Sequence, residues 1–201
     1  MFRILKRIGA FVIACSALAG CTSEQPWHAH NISKLVPDLA FALTDDRGKS
    51  VSAQDYRGKV ALMYFAFTHC PDVCPMTLAE LGQMLRTMDT GRDDVRVLVV
   101  TVDPARDSTA VMHEYVQAFG PQFVGLRGEG EDLDALARRY RVAYTLGRPD
   151  ARGEYEVTHS TAVFAFDREG HARLLFAPKD APGAIFEDLR RLIFDFSHGG
   201  G

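Results

Sequence analysis

Apolar runs of membrane-spanning length are missing from this 201-residue chain. The N-terminal run, Ile8 to Ala19, is closed by Cys21 and the polar Thr22-Ser23-Glu24-Gln25, short of the roughly 20 apolar residues a helix needs to cross a bilayer core. Clustered basic residues are missing too. The 23 Lys and Arg stand against 26 Asp and Glu, a formal charge of −3, and no Lys/Arg patch of the kind that tracks phosphates is present, which argues against nucleic acid as a partner. There is no internal repeat. Cysteine is scarce, four in all. Cys15 and Cys21 fall in the N-terminal segment, so the folded part keeps one pair, Cys70 and Cys74.

Arg3, Lys6 and Arg7 before the apolar run have the form of a bacterial secretory signal. Leu18-Ala19-Gly20-Cys21 resembles the lipobox of bacterial lipoproteins, which implies cleavage before Cys21 and acylation of that residue as a membrane anchor. The alternative is an ordinary cleaved signal or a short membrane stub. Several acyl chains anchor stably where one is marginal. The expected organisation is a signal peptide over 1–20, a tether over 21–37, one domain over 38–196 and a flexible tail over 197–201. Losing the signal removes three basic residues and no acidic one, leaving 20 against 26 and a charge of −6. The expected location is the bacterial cell envelope, lipid-anchored, with the domain in the periplasm or on the outer face of the cytoplasmic membrane. Disulfides persist there.

From Thr22 to about Val36 the composition is polar, and His28 and His30 read as solvated linker side chains rather than ligands. Leu39 to Thr44 and Val51, around Asp45-Asp46-Arg47-Gly48, predict a small N-terminal hairpin. Val60 to Phe67 is a continuous apolar run of strand length, the pattern of a central strand buried on both faces. Leu81, Met84, Leu85 and Met88 keep helical spacing. Val95 to Val102 predicts a second buried strand, with Asp107 as cap of the helix that follows. Phe123 to Leu126 is a short strand. Leu133, Leu136, Ala137 and Tyr140 mark a helix, Ala162 to Phe166 and Ala172 to Phe176 a hairpin, and Ile185 to Phe196 a last amphipathic helix. Alternating βα units closed by a hairpin and helix predict an α/β, thioredoxin-like mixed sheet with helices on both faces.

Cys70-Pro71-Asp72-Val73-Cys74-Pro75 sets two thiols four residues apart where the first buried strand gives way to a helix. Helical neighbours at that spacing have Cβ atoms ~5 to 6 Å apart, whereas a disulfide needs ~3.5 to 4.5 Å, so a direct bond requires movement and a metal does not. The helix N-terminus is expected to lower the thiol pKa. Two thiolates leave room for a third ligand. Of seven histidines, His28 and His30 lie in the tether, His198 in the Gly-rich tail, His113 on a helix surface, His171 after a turn, and His69 on the face opposite its neighbour Cys70. His159 stands before a strand expected beside the cysteine strand, in the loop that faces the active cysteines of thioredoxin-like domains. A loop histidine bonding to backbone is its alternative reading.

Thr68-His69-Cys70-Pro71-Asp72-Val73-Cys74-Pro75, Thr101-Val102-Asp103-Pro104-Ala105-Arg106-Asp107, Tyr140-Arg141-Val142, and His159 before an apolar strand together resemble the Sco/SenC family over about Asp38 to Phe194. The resemblance implies a membrane-tethered, thioredoxin-like copper chaperone holding copper, as Cu(I) or Cu(II), through Cys70, Cys74 and His159. It also implies delivery to, or preparation of, the dinuclear copper centre of cytochrome c oxidase subunit II, with other periplasmic copper chaperones as possible partners. The family commonly has Asp before the ligand histidine where this chain has Thr158, a carboxylate that would orient the imidazole or bind the partner.

Ligand chemistry agrees with copper: thiolate is soft and selects Cu(I), imidazole serves either oxidation state, and structural zinc would want a fourth protein ligand. Met63, Met76, Met84, Met88 and Met112 fall within apolar periodicities and read as core rather than thioether ligands. Asp103, at the carboxyl end of a central strand, reads equally as a site residue or as a turn former with Pro104. The competing functions are a thiol-disulfide oxidoreductase and a redox sensor, both using Cys70 and Cys74. Reductases of this fold carry C-x-x-C opposite a cis-proline, and no Pro lies between Asp150 and Phe176.

Overall fold

A computed structural model describes residues 26–194 of the chain. Ten strands and four α-helices follow in the order β1 (His30–Asn31), β2 (Ala42–Asp45), β3 (Ser50–Ser52), β4 (Val60–Ala66), α1 (Val73–Thr87), β5 (Val95–Thr101), α2 (Thr109–Gln117), β6 (Phe123–Arg127), α3 (Gly130–Arg139), β7 (Tyr144–Leu146), β8 (Val157–His159), β9 (Val163–Phe166), β10 (Ala172–Phe176) and α4 (Pro182–Phe194). Eight strands form one mixed sheet in the order β1-β10-β9-β4-β5-β6-β2-β3, and β7 and β8 form a separate antiparallel ribbon.

The strand order fixes where the helices go. β4, β5 and β6 are parallel neighbours, so the chain steps twice in one direction, and right-handed crossovers put α1 and α2 on the same face. They pack closely: a Cβ on Gly82 of α1 would stand 2.7 Å from the Phe119 carbonyl oxygen just after α2. After β6 the chain returns past β4 to β9, so α3 goes to the opposite face. There Tyr140, at its end, stacks against Phe164 and Phe166 of β9, both at 5.7 Å. The Tyr140 hydroxyl donates to the Asp38 carbonyl (2.9 Å) and accepts from the Ala40 amide (3.0 Å), tying down the entry to β2.

All seven residues of β4 are buried, as its unbroken apolar run requires for a strand covered on both sides. The predicted hairpin is β2 and β3, docked antiparallel on β6. Helices lie on both faces, as expected. The segment expected as solvated linker is partly built into the domain: β1 pairs with β10, Ala29 and Ile32 are buried, and the fully buried Asp188 of α4 accepts the amides of His28 (3.2 Å) and Ala29 (2.7 Å). Polar composition hid this because the pairing uses backbone groups. Met63, Met84, Met88 and Met112 are core residues as expected, but Met76 is exposed. Cys15, Cys21 and His198 lie outside the described residues.

Candidate metal centre

The site is built where β4 ends. Its last residues lead through Phe67 and Thr68 to Cys70, whose amide donates to the Phe67 carbonyl (3.3 Å) in a tight turn. α1 begins three residues later. Asp72 occupies the N-cap position without a side-chain cap bond. The Cys70 sulfur takes that place, accepting the Cys74 amide at 3.4 Å, so the first thiol sits on the free N–H groups of the helix.

His159 ends β8 and closes over the pair. Its Nε2 lies 3.2 Å from Cys74 Sγ and its Nδ1 lies 2.8 Å from the Ser160 carbonyl oxygen. That carbonyl can only accept, so Nδ1 carries the proton and the Nε2 lone pair faces the sulfurs, the tautomer a metal ligand needs. Phe67 meets the imidazole edge-on at 5.7 Å. Burial lowers the pKa of His159, which keeps the ring neutral. The three donor atoms of Cys70, Cys74 and His159 all lie within 4.8 Å of one another. Two sulfurs and one neutral imidazole suit a soft ion.

One expectation is reversed. Burial pushes the Cys74 thiol up to about 12, outweighing the helix N-terminus, and the Cys70 side chain adds to the rise. Cys74 is therefore a thiol at neutral pH whose proton points at His159. A metal held by this sulfur would displace that proton.

Asp107 was expected to cap α2, but Ser108 does so, its Oγ accepting the Val111 amide at 3.2 Å. The fully buried Asp107 turns back to the cysteine turn. It accepts the Thr68 amide (3.1 Å), the Thr68 hydroxyl (2.5 Å) and the Thr101 hydroxyl (2.5 Å). Asp103 is also buried at the carboxyl end of β5. It accepts from the Tyr155 hydroxyl and from Arg106 Nε, both at 2.5 Å, and the Arg106 guanidinium stacks on the Tyr155 ring at 3.8 Å. This latch holds the loop between β7 and β8 against the body. Neither Asp107 nor Tyr155 announced its partners in sequence, since both bonds join distant segments.

The remaining histidines take other roles. His28 pairs with Glu187 (3.3 Å) and His113 with Asp46 (2.6 Å), while His69 lies beside the Thr68 hydroxyl at 3.1 Å. Asp167, Glu169 and His171 form a second close group, but the Asp167 carboxylate is already engaged by Arg173 (3.1 Å) and by the Glu169 and His171 amides. Thr158 Oγ1 meets Thr145 Oγ1 across the ribbon at 3.0 Å.

Two thiols and a histidine gathered at a strand-to-helix junction define a thioredoxin-like domain with a soft-metal or thiol-redox centre. Residues 33–194 match the SCO1/SenC family, and the chain belongs to it. The mitochondrial SCO2 homolog of Mus musculus is 35% identical over 186 residues, 89% of this chain and 73% of that protein. Copper-bound ScoI of Bradyrhizobium japonicum superposes with a TM-score of 0.70 at 35% identity, covering 78% of this chain and 99% of that one. BsSco, described as a member of the Sco family of cytochrome c oxidase assembly proteins with a disulfide switch, gives a TM-score of 0.63 at 21% identity over 85% of this chain and 98% of its own, a likeness of fold.

Proposed function

We propose that this protein is a copper-binding chaperone of cytochrome c oxidase assembly, holding one copper ion through Cys70, Cys74 and His159. It delivers that ion to the dinuclear copper centre of subunit II, or prepares the thiols there. The observation that carries the reading is the convergence of the three donor atoms within 4.8 Å, with His159 held as the Nε2-accepting tautomer by the Ser160 carbonyl. The copper-bound ScoI of similar fold and 35% identity supports copper as the cargo. No helix of the described residues is long and apolar enough to cross a membrane, and the proposed attachment is an acylated Cys21 in the bacterial envelope. Cys21→Ser is expected to abolish acylation and stable membrane retention.

Titration of the reduced protein with Cu(I) tests the ligand set. One ion per chain is expected, with large losses of affinity in Cys70→Ala, Cys74→Ala and His159→Ala. Undiminished affinity in the last would remove the histidine from the site.

A second reading uses the same sulfurs for electron transfer. Both cysteines are free thiols with sulfurs within 4.8 Å of each other, so a small movement closes a disulfide. Two thiols would then pass two electrons and two protons to a disulfide of the target, leaving Cys70 bonded to Cys74. His159→Ala separates the readings, since it removes a copper ligand and leaves the exchanging sulfurs in place.

A further inference from the structure

Among the described residues, a phenol oxygen beside the cysteines has no hydrogen-bond partner. Tyr64 Oη, from β4, is sealed from solvent. Sheet register sets Tyr64 beside Val99 of β5 and Val163 of β9, on the face opposite Phe164 and Phe166 and so on the side of α1 and α2, and its ring lies edge-on to His159 at 6.1 Å. The hydroxyl is close enough to Cys74 and Thr77 for both to influence it, yet it makes no hydrogen bond of acceptable geometry. Thr77 has committed its own proton to the Val73 carbonyl at 2.9 Å. A phenol is protonated at neutral pH, so it has a proton to donate.

A buried hydroxyl left without a partner is unfavourable, and such an atom in a native protein calls for a reason. The sulfurs supply one. As a neutral thiol Cys74 is a weak acceptor. A thiolate or metal-bound sulfur carries negative charge and accepts strong, charge-assisted hydrogen bonds. We propose that Tyr64 is a positioning residue of the metal centre, donating a hydrogen bond to the Cys74 sulfur once this is charged. The inference rests on the copper reading of Cys70, Cys74 and His159. On this view the site is completed by loading: the metal-thiolate state satisfies a donor that the metal-free dithiol leaves unmet. Hydrogen bonds to sulfur also tune the electronics of a copper-thiolate bond.

Tyr64→Phe keeps the ring and deletes the oxygen. Three quantities are read in the full chain: Cu(I) affinity by competition with a chromogenic chelator, the sulfur-to-copper charge-transfer band after loading with Cu(II), and thermal unfolding of the metal-free protein. Outer-shell partners are generally worth ~10 to 100-fold in affinity. A loss of about tenfold is expected, with the band moving to lower energy. The metal-free variant should unfold at the same temperature or higher, because an unpaired buried hydroxyl has been removed. Unchanged affinity and band, with Cys70→Ala still abolishing uptake, would overturn the role of the phenol and leave the ligand assignment standing. Wild-type protein that takes up no copper would remove both. A lower unfolding temperature for the metal-free Phe variant would show a hydroxyl already bonded in the empty site, and would also overturn the inference.

Discussion

Replacing Asp107 by Asn tests how the fold holds the cysteine turn. The buried carboxylate accepts three hydrogen bonds, from the Thr68 amide and from the Thr68 and Thr101 hydroxyls. Asn keeps one accepting oxygen, and a hydroxyl can rotate to accept from its NH2, so the variant trades three charge-assisted bonds for neutral ones. Bonds to charged groups are worth ~1.5 to 3 kcal/mol against ~0.5 to 1.5 for neutral pairs, a difference of about 3 kcal/mol over three bonds. A neutral amide is easier to bury, which offsets part of this, and the expected net loss is about 1 to 3 kcal/mol. For a domain of this size that lowers the melting temperature by roughly 2 to 12 °C. Calorimetry on the metal-free protein measures it. Ser108→Ala is the control, because the α2 cap it removes is worth about 1 kcal/mol without touching the Thr68 turn. Copper affinity should fall in Asp107→Asn, since Thr68 is two residues from Cys70, and stay unchanged in Ser108→Ala. Asp107→Asn unfolding within about 0.5 kcal/mol of wild type would refute the reasoning.

Gly82→Ala gains about 1 kcal/mol of helix propensity, but its methyl would meet the Phe119 carbonyl oxygen at 2.7 Å. Overpacking of about 1 to 3 kcal/mol should win, seen as a lower urea midpoint. Thr158→Asp is expected to leave Cu(I) affinity within about twofold, well under the ~10-fold of a true outer-shell change, because the Ser160 carbonyl already orients His159 and Thr158 faces Thr145. Loading with Cu(I) should release at least the Cys74 proton, whose thiol is pushed up to about 12. Apparent affinity should therefore fall by at least about tenfold for each unit the pH drops between 8 and 6, and a pH-independent affinity would contradict the raised thiol.

Much of the fold was legible because β4 is an unbroken apolar run, β5 is one interrupted only by Arg96 before its final Thr101, and α1, α3 and α4 keep helical spacing, patterns that burial on two faces or one face leaves in a sequence. β1 was not, because a two-residue exposed strand is defined by its backbone pairing with β10 rather than by side chains. The ribbon of β7 and β8 was missed for a similar reason: its residues are exposed or half-buried, and at three residues each the strands are too short for an alternating pattern to stand out. At the site, Cys70, Cys74 and His159 were found by motif, and the structure brings all three together. Asp107 and Ser108 are both capping residue types, so the local sequence could not say which would cap and which would turn inward. The Cys74 thiol misled for the same cause. A helix N-terminus is visible in sequence, whereas the burial that overrides it comes from tertiary packing.

The two cysteines ride on the main sheet through β4 and α1, while His159, 85 residues from Cys74, rides on the ribbon. The ribbon loop is fastened to the body by Tyr155 on Asp103. On the proposed ligand set, a chelate carried on two supports would open from one side. Tilting the ribbon would withdraw the nitrogen and leave both sulfurs in place, so a bound ion would pass to a lower coordination number without entering bulk water. A receiving protein could then substitute its own donors one at a time, starting at the vacated position.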